Sequence, residues 1–445
     1  MVLVVPGTCH HRGVRVLMAP DGFGTSLTPA EAADVLRAGW ADGAPHDTVD
    51  VCPLADGGPG FVATLHSTLG GDLEPVTVTS PVGESAPAAL LRVGTTVHLE
   101  SAHAVGLALV PPDLRDPTRT TSLGAGELLA AALPGARRVV VGLGGSATND
   151  AGAGLLVALA DALLPAGAVA PDVAARMRSG GGALGEVGVD DLRWLPDLRA
   201  ALRTVDLMAA VDVDVPLLGL QGASAGFSPQ KGATPQQAQD LERALGAFAH
   251  AATTAAGPLR TGPAADLLGT TDTRAARLSA LPGAGAAGGL GFALALLGAR
   301  LLPGARLVAD AVDLPARIAA HDLVVTGEGR TDWQSLHGKV VAEVAARALA
   351  FAVPVVVVSG EVLVGRRELS AAGVTAAYAV AEGPEAVRAA LGDPAGTLRA
   401  RTTRVARTWS PARDVTGAQG GPSASAPGAP DTAPDTAPDT AGGGA

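Results

Sequence analysis

Four segments of this 445-residue chain combine glycines with Asp, Ser, Thr or Glu directly after a short aliphatic run. They read MAPDGFGTS at 18–26, PLADGGPG at 53–60, VGLGGSATNDAGAG at 141–154 and VVTGEGRTD at 324–332. Glycine lets backbone N–H groups approach an anion closely, and carboxylates can hold a metal ion or a proton. The pattern therefore indicates anion binding, although each segment taken alone is also compatible with a plain turn or helix cap.

The segment 142–150, GLGGSATND, is the most informative because it follows a predicted strand and precedes a predicted helix. That order suits a loop whose N–H groups and Ser146 or Thr148 hydroxyl hold a phosphate or carboxylate, with Asn149 and Asp150 near a metal or a reacting hydroxyl. The segment lacks both the lysine of a Walker A motif and the spacing of a dinucleotide fingerprint. The segment therefore predicts an anion-binding loop that is neither a Walker A loop nor a dinucleotide-binding loop.

Lysine is almost absent from the chain, since only Lys231 and Lys339 are lysines among its 32 basic residues. Arginine can replace lysine on most surfaces, but not where a compact, flexible charge must reach a phosphate. Both lysines occur in polar loops just before predicted helices, so both are candidate ligands of an anion. The alternative for Lys231 is a surface position beside a helix cap at Thr234.

Two further clusters carry weaker signals. The small-residue segment 282–291, PGAGAAGGLG, is either a closely packed helix start or a second phosphate loop. His98 and His103 flank Glu100 but lack the i, i+4 helical spacing of a zinc site, so a metal hydrolase is disfavoured.

Short aliphatic runs alternate with longer amphipathic stretches, which predicts an α/β fold with mostly parallel sheets. Residues 14–18 predict the first strand, and Thr28 to Glu31 predict a capping box that opens a helix to about Trp40. Further strands are predicted near 48–52, 73–79, 96–100, 137–142, 205–211, 322–326, 354–359 and 375–379, and helices near 60–69, 123–133, 150–162, 235–254, 286–300, 333–349 and 384–391. These elements would place the glycine-rich loops at the carboxyl ends of strands, where ligands bind in open α/β sheets.

Composition narrows the class of protein. The net charge of −11 and the 2% aromatic content disfavour a nucleic-acid-binding protein, and no apolar run is long enough for a membrane span or fits a signal peptide. Two cysteines suit a reducing compartment, so the cytoplasm is expected. The repeats of APDT predict a disordered low-complexity tail over 411–445.

Taken in order, seven segments resemble the bacterial glycerate kinases that phosphorylate D-glycerate with ATP. The segments are APDGFGTSLTPAEAA at 19–33, PLADGGPG at 53–60, TTSLGAGELL at 120–129, GLGGSATNDAGAG at 142–154, DVDVPLLGLQGASAGFSPQKGAT at 212–234, PGAGAAGGLGFAL at 282–294 and TGEGRTDWQSLHGK at 326–339. The resemblance implies two domains with the active site in the cleft between them. A Rossmann-like three-layer domain would comprise 14–72 and 286–395, and a second α/β domain would be inserted at 73–285.

The resemblance also implies the substrates D-glycerate and ATP, the cofactor Mg²⁺, and 2-phosphoglycerate rather than 3-phosphoglycerate as product. It marks as catalytic residues Asp21, Asp150, Asp212, Lys231, Asp332 and Lys339. It marks as substrate- or phosphate-binding residues Asp56, Gly57, Gly58, Gly144, Gly145, Ser146, Asn149, Gln230, Glu328 and Arg330. Mg²⁺ would bind carboxylates among Asp21, Asp212 and Asp332, and the lysines would bind phosphate or carboxylate. A monomer and a homodimer both remain open.

Four positions depart from the family pattern. Gly22 and Gly24 replace the Ser and Lys of a first loop that usually reads like APDSFKGSL, Pro59 replaces Glu, and Val215 replaces Asn. Each change removes a polar group in or beside a ligand-facing loop. The alternative is therefore that this protein has the same fold but acts on another hydroxy acid, or that it binds a small anion or nucleotide with weakened catalysis. A dehydrogenase is disfavoured because the dinucleotide fingerprint is missing.

Overall fold

The computed structural model describes residues 13–257, 278–336 and 338–410. The predicted tail at 411–445 lies outside the described residues, as does His337 in the seventh family segment. The strands are β1 Arg15–Met18, β2 Thr48–Val51, β3 Asp72–Thr79, β4 Ser85–Val93, β5 Thr96–Glu100, β6 Arg138–Leu143, β7 Asp206–Val211, β8 Arg300–Pro303, β9 Leu323–Thr326, β10 Arg330–Thr331, β11 Val355–Ser359, β12 Glu361–Val362 and β13 Ala376–Ala379. The helices are α1 Pro29–Gly43, α2 Phe61–Leu69, α3 Ala102–Val105, α4 Leu123–Ala132, α5 Ala153–Leu163, α6 Pro171–Arg178, α7 Leu195–Ala201, α8 Pro235–Ala256, α9 Ala286–Leu296, α10 Gly304–Ala311, α11 Leu314–Ala319, α12 Val340–Leu349, α13 Arg366–Ala371, α14 Pro384–Gly392 and α15 Pro394–Trp409.

One sheet has five parallel strands in the order β13-β11-β9-β1-β2. Its central strands are mostly apolar, as expected for a parallel sheet that is covered on both faces. Val16 and Met18 of β1 belong to a core with α1 and α15, whereas Leu17 points to the opposite core. The predicted capping box at the start of α1 is present, with Thr28 and Glu31 bonded reciprocally.

The second sheet has six strands in the order β3-β4-β5-β6-β7-β8. Strands β3, β4 and β5 pair antiparallel, and β5 to β8 pair parallel. Its largest core packs against α4, α5, α8 and α9. Because β8 pairs with β7, the elements of this sheet continue to Pro303, beyond the boundary predicted at residue 285.

A layer of helices lies between the two sheets. Residues of α2, α10 and α12 form one buried cluster with Leu17 and Val324 of the five-stranded sheet and with Val140 and Met208 of the six-stranded sheet. The two sheets therefore share part of their hydrophobic core. This packing brings loops from both sheets to the same region.

The α/β class with parallel sheets is confirmed, and each predicted strand is present within a residue or two. Strands β4, β8, β10 and β12 and helices α3, α6, α7, α10, α11, α13 and α15 were missed. Strand β4 contains Pro87 and three alanines, which are poor strand formers, and its pairing with β3 and β5 overrides that preference. The helix predicted over 333–349 begins only at Val340, and Gln334–Leu336 form a separate short 3-10 helix before it.

No helix in the three described ranges combines the length and the apolar content that crossing a membrane requires. This agrees with the absence of a long apolar run in the sequence.

Candidate active site

Five charged side chains from both sheets meet at one place, and we call them the carboxylate–lysine cluster. The cluster comprises Asp21, Asp56, Asp212, Glu328 and Lys339. Asp21, Asp56 and Glu328 follow β1, β2 and β9 of the five-stranded sheet, and Asp212 follows β7 of the other sheet. The Lys339 Nζ atom lies 3.1 Å from Asp212 Oδ1 and 3.8 Å from Asp56 Oδ2. Loops that are far apart in sequence therefore supply one polar site.

The cluster contains four carboxyl groups and one lysine, and the pKa values of three of these carboxyl groups are raised. Burial, together with the nearby charge of Asp56, raises the pKa of Asp212 to about 6. The same two causes raise the pKa of Asp21 well above its ordinary value, and burial raises the pKa of Glu328. Burial opposes the charge on Lys339, but the attraction of Asp212 and Asp56 outweighs it and raises the lysine pKa. The site thus favours a bound cation and can hold a proton near neutral pH.

Gly57 allows the two sheets to approach each other at this site. Its φ of +98° is unfavourable for residues with a side chain, and a Cβ atom there would lie only 2.8 Å from the Ala210 carbonyl oxygen on β7. The next amide, that of Gly58, donates to Asp56 Oδ1 at 3.2 Å. The glycine therefore lets the loop after β2 lie against β7, which brings Asp56 close to Asp212.

The GLGGSATND loop lies beside this region. A Cβ atom on Gly144 would come within 2.8 Å of Gly58 Cα, and one on Gly145 within 2.9 Å of the Pro59 ring. The two glycine-rich loops are consequently in direct contact. Ser146, which ends the stretch of glycines, is buried.

Lys231 lies under the same loop and is not a surface residue. It is 3% exposed, and its Nζ donates to Ser146 Oγ at 2.9 Å and to the Thr148 carbonyl oxygen at 2.7 Å. Because both partners are neutral, burial dominates and lowers the pKa of Lys231 to about 7. The alternative of a surface lysine beside the Thr234 cap is therefore wrong.

Asp150 and Asn149 are fully buried within the fold of this loop. Asp150 Oδ2 accepts hydrogen bonds from the Ser122 amide and hydroxyl, both at 2.8 Å, and the Gly152 and Gly154 amides donate to the same carboxylate. Asn149 Nδ2 donates to Ser224 Oγ at 3.1 Å. The geometry does not support the prediction that Asp150 is catalytic, because its oxygens hold the start of α5 in place.

Three other predicted site residues lie outside the carboxylate–lysine cluster. Gln230 is exposed. Arg330 is exposed and pairs with Glu361, with 3.3 Å between Nη2 and Oε2. Asp332 Oδ1 accepts from the Gln334 amide at 2.8 Å, so it caps the short turn that follows. Of these three residues, Arg330 lines the cavity described below.

The structure gives a role to Glu100, which the sequence analysis did not single out as a site residue, and it decides between two interpretations of the segment 282–291. Glu100 is buried and caps α2, accepting from the Gly60 amide at 3.0 Å and the Val62 amide at 3.3 Å. Its position between His98 and His103 was the only sequence signal. The small-residue segment at 282–291 packs closely, since a side chain on Gly288, whose φ is +70°, would overlap the Thr148 carbonyl oxygen. This favours the packing interpretation of that segment.

A cavity of about 880 Å³ opens beside the cluster. Asp21, Asp56, Glu328 and Lys339 line it together with the first glycine-rich loop, residues 22–28, and with residues of α14 and α15. The cavity lies beyond the carboxyl ends of β1, β9, β11 and β13, which is the usual ligand position in an open α/β sheet.

Comparison with known proteins shows the family to which the chain belongs. A family model described as the glycerate kinase family matches residues 16–410. The chain belongs to the glycerate kinase family. It is therefore a kinase, an enzyme that transfers a phosphoryl group.

Several named relatives are similar to this glycerate kinase family member over most of their length. The chain is 39% identical to the glycerate kinase of Bacillus subtilis strain 168, and the alignment covers 83% of this chain and 91% of that one. It is 38% identical to the glycerate 2-kinase of Escherichia coli K12, covering 78% and 85%. A crystal structure named for glycerate kinase 2 of Salmonella typhimurium LT2 superposes with a TM-score of 0.67 at 34% identity, covering 89% of this chain and 98% of that chain.

The carboxylates beside the cavity are oxygen donors, the type of ligand that a hard divalent cation such as magnesium prefers. Among the described residues, no three His, Cys, Asp or Glu side chains converge closely enough to enclose a metal ion. Magnesium seldom needs such a cage, because it usually binds one or two carboxylates together with substrate phosphates and waters. Asp21 and Asp56 provide oxygen ligands of this kind beside the cavity.

Proposed function

We propose that this protein transfers the γ-phosphoryl group of ATP to D-glycerate, with Mg²⁺, and forms 2-phosphoglycerate. The carboxylate–lysine cluster beside a large cavity is the observation that supports this reaction, because phosphoryl transfer depends mainly on positioning and on neutralising phosphate charge. The preference for the 2-phosphate rests on the similarity to the Escherichia coli enzyme named glycerate 2-kinase.

Lys339 and Asp212 have complementary roles in this proposal. Lys339 occupies the N-cap position of α12, so its ammonium group and the helix N-terminus both favour a phosphate. Asp212, with its pKa near 6, accepts the proton of the attacking glycerate hydroxyl. The hydroxyl oxygen bonds to the γ-phosphorus as the bond from phosphorus to the bridging oxygen breaks, and ADP leaves.

The loop at 144–146, with the buried Lys231 ammonium behind it, binds the carboxylate of glycerate in this proposal. The Ser146 hydroxyl of this loop accepts a hydrogen bond from the buried ammonium group of Lys231. The loop also lies against the loop that contains Asp56. An anion at this position would interact with backbone N–H groups and with the charge of the Lys231 ammonium group, whose hydrogen-bond partners, a hydroxyl and a carbonyl oxygen, are neutral. Such binding would orient the hydroxyl of the acceptor towards the cluster.

Magnesium would be held by Asp21 and Asp56 together with phosphate oxygens. When bound, it would neutralise charge on the β- and γ-phosphates. Burial contributes most to the raised pKa of Asp21, and the repulsion from Asp56, which adds to it, would be relieved by such a cation.

A different hydroxy acid is the second candidate for the acceptor. Gly22 and Gly24 line the cavity where the family pattern has Ser and Lys, and nothing lies within 4 Å of the position that a Cβ on Gly24 would occupy. The first loop therefore offers more space and fewer polar groups than the family pattern implies. A longer or less polar acid would be accommodated at this end.

The direct test follows ADP release by the purified full-length protein with ATP, MgCl₂ and D-glycerate, and identifies the product by NMR. We expect turnover and 2-phosphoglycerate, with Lys339→Met as the control in which turnover is lowered. Turnover only with another hydroxy acid would favour the second candidate. A folded protein that releases no ADP with any acceptor would contradict the proposal.

A further inference from the structure

Helix α14 has an apolar stripe that the described part of the chain leaves at least partly exposed. Val387, Ala390 and Leu391 are spaced i, i+3 and i+4, so they share one face of the helix. No residue of this helix is buried, and Leu391 is 62% exposed. All three side chains line the cavity beside the carboxylate–lysine cluster. The helix therefore presents its apolar face to the cavity.

Other apolar residues of the same cavity come from separate parts of the chain. Phe23 and Leu27 belong to the first glycine-rich loop, where the Phe23 amide donates to the Leu27 carbonyl oxygen at 2.8 Å. Leu398 of α15 is also a lining residue and is almost fully buried. We call Phe23, Leu27, Val387, Leu391 and Leu398 the apolar wall. The wall and the charged cluster thus belong to a single cavity.

The size of the cavity exceeds what the acceptor requires. A cavity of about 880 Å³ lies in the range that encloses ligands of drug size, whereas a three-carbon acid fills a small part of it. Such an acid is also polar throughout and has no group that an aliphatic wall would bind. The second substrate of a kinase, a nucleoside triphosphate, has an apolar ring face at one end and charged phosphates at the other.

We propose that the apolar wall is the subsite for the base of the nucleoside triphosphate, with the phosphates directed towards Lys339. The inference rests on the proposed function with D-glycerate as acceptor and deepens it, because it assigns α14 and the first loop to the nucleotide. With the nucleotide base in that position, the second candidate acceptor would have no room at the first loop. Burial of the base against Val387 and Leu391 would remove the exposed apolar face of α14 from water.

The test measures ADP binding by calorimetry in MgCl₂ with the full-length protein and the double variant Val387→Gln/Leu391→Gln. Glutamine keeps the helix propensity, and both positions are at least partly exposed, so the fold should be retained. We expect the affinity for ADP to fall about tenfold, or ~1.4 kcal/mol. Leu349→Gln is the matched control, since Leu349 is also helical, is 70% exposed and does not line the cavity.

Binding of inorganic tripolyphosphate distinguishes the contribution of the base from that of the phosphates. Tripolyphosphate lacks a base, so the double variant should bind it as tightly as the wild type does. Unchanged ADP affinity in the double variant, or an equal loss for ADP and tripolyphosphate, would overturn the assignment. Because binding is measured without an acceptor, loss of ADP affinity in a protein that does not phosphorylate glycerate would contradict the proposed function alone.

Discussion

At the scale of single residues, Asp212 links activity to stability. Its pKa in the folded protein is about 6, above the ordinary 3.8, so the folded state binds a proton more tightly than the unfolded state. The resulting stabilisation is complete below pH 3.8 and is lost as the pH rises through about 6. At pH 8 the ionised carboxylate therefore lowers the free energy of unfolding.

Asp212→Asn should increase the free energy of unfolding by about 1–2 kcal/mol at pH 8 and change it little at pH 4. The same substitution should lower kcat by about 100-fold or more, because the general base is lost. Urea unfolding in metal-free buffer at the two pH values measures the first effect. Asp214→Asn is the control, since Asp214 is exposed two residues away. Equal stability of the wild type and Asp212→Asn at pH 8 would contradict the electrostatic interpretation.

The two lysines should be distinguishable by their pH dependence. Burial lowers the pKa of Lys231 to about 7, so this cation is lost as the pH rises through 7, whereas Lys339 has a raised pKa and stays charged. We expect kcat/KM for D-glycerate to decline above pH 7 in the wild type. Both Lys231→Met and Lys339→Met should lower turnover at least ~10-fold, about 1.4 kcal/mol in the barrier.

Only the Lys339→Met variant should keep the alkaline decline. Rate profiles from pH 6 to pH 9 check this difference. A decline that persists in Lys231→Met would assign the titration to another group.

At the scale of elements, the close approach of the loop after β2 to strand β7 positions the site. Gly57→Ala adds a methyl group that meets the Ala210 carbonyl oxygen at 2.8 Å, in addition to the strain of a φ of +98°. Gly60→Ala is a matched control, because its φ is +93° and nothing lies within 4 Å of the added atom.

Both substitutions should cost about 1–2 kcal/mol from the backbone alone. Gly57→Ala should cost more than that and should also lower kcat, because it displaces Asp56 from Asp212. Thermal unfolding and steady-state kinetics of the two variants measure the difference. Identical stability and activity in the two variants would show that the close approach is unimportant.

At the scale of the whole molecule, the helices between the sheets join the two sheets into one cooperative unit. Leu65 of α2 is 1% exposed and belongs to the buried cluster that both sheets share. We expect a single unfolding transition, and Leu65→Ala should lower its free energy by about 2–5 kcal/mol without splitting it. Calorimetry compares it with Leu349→Ala, a truncation at an exposed site that should change stability by less than about 0.5 kcal/mol. Two transitions, of which Leu65→Ala shifts one, would contradict this view.

The amino-acid sequence was enough to locate the glycine-rich polar loops that follow aliphatic strands, because such loops are local features that neighbouring residues specify. Within those loops, Asp21, Asp56 and Glu328 were marked by the resemblance to the glycerate kinase family. The scarcity of lysine likewise singled out Lys339 before any contact was known. The α/β class followed from the alternation of the predicted elements.

Which of these residues meet depends on the tertiary fold. Asp150 and Lys231 looked equivalent to the cluster residues in sequence, yet Asp150 caps a helix and Lys231 is buried under the loop at 144–148. The stripe on α14 was likewise indistinguishable from an ordinary core face until its neighbours were known. Burial and pairing depend on contacts between segments separated by tens to hundreds of residues, and local sequence patterns do not encode those distances.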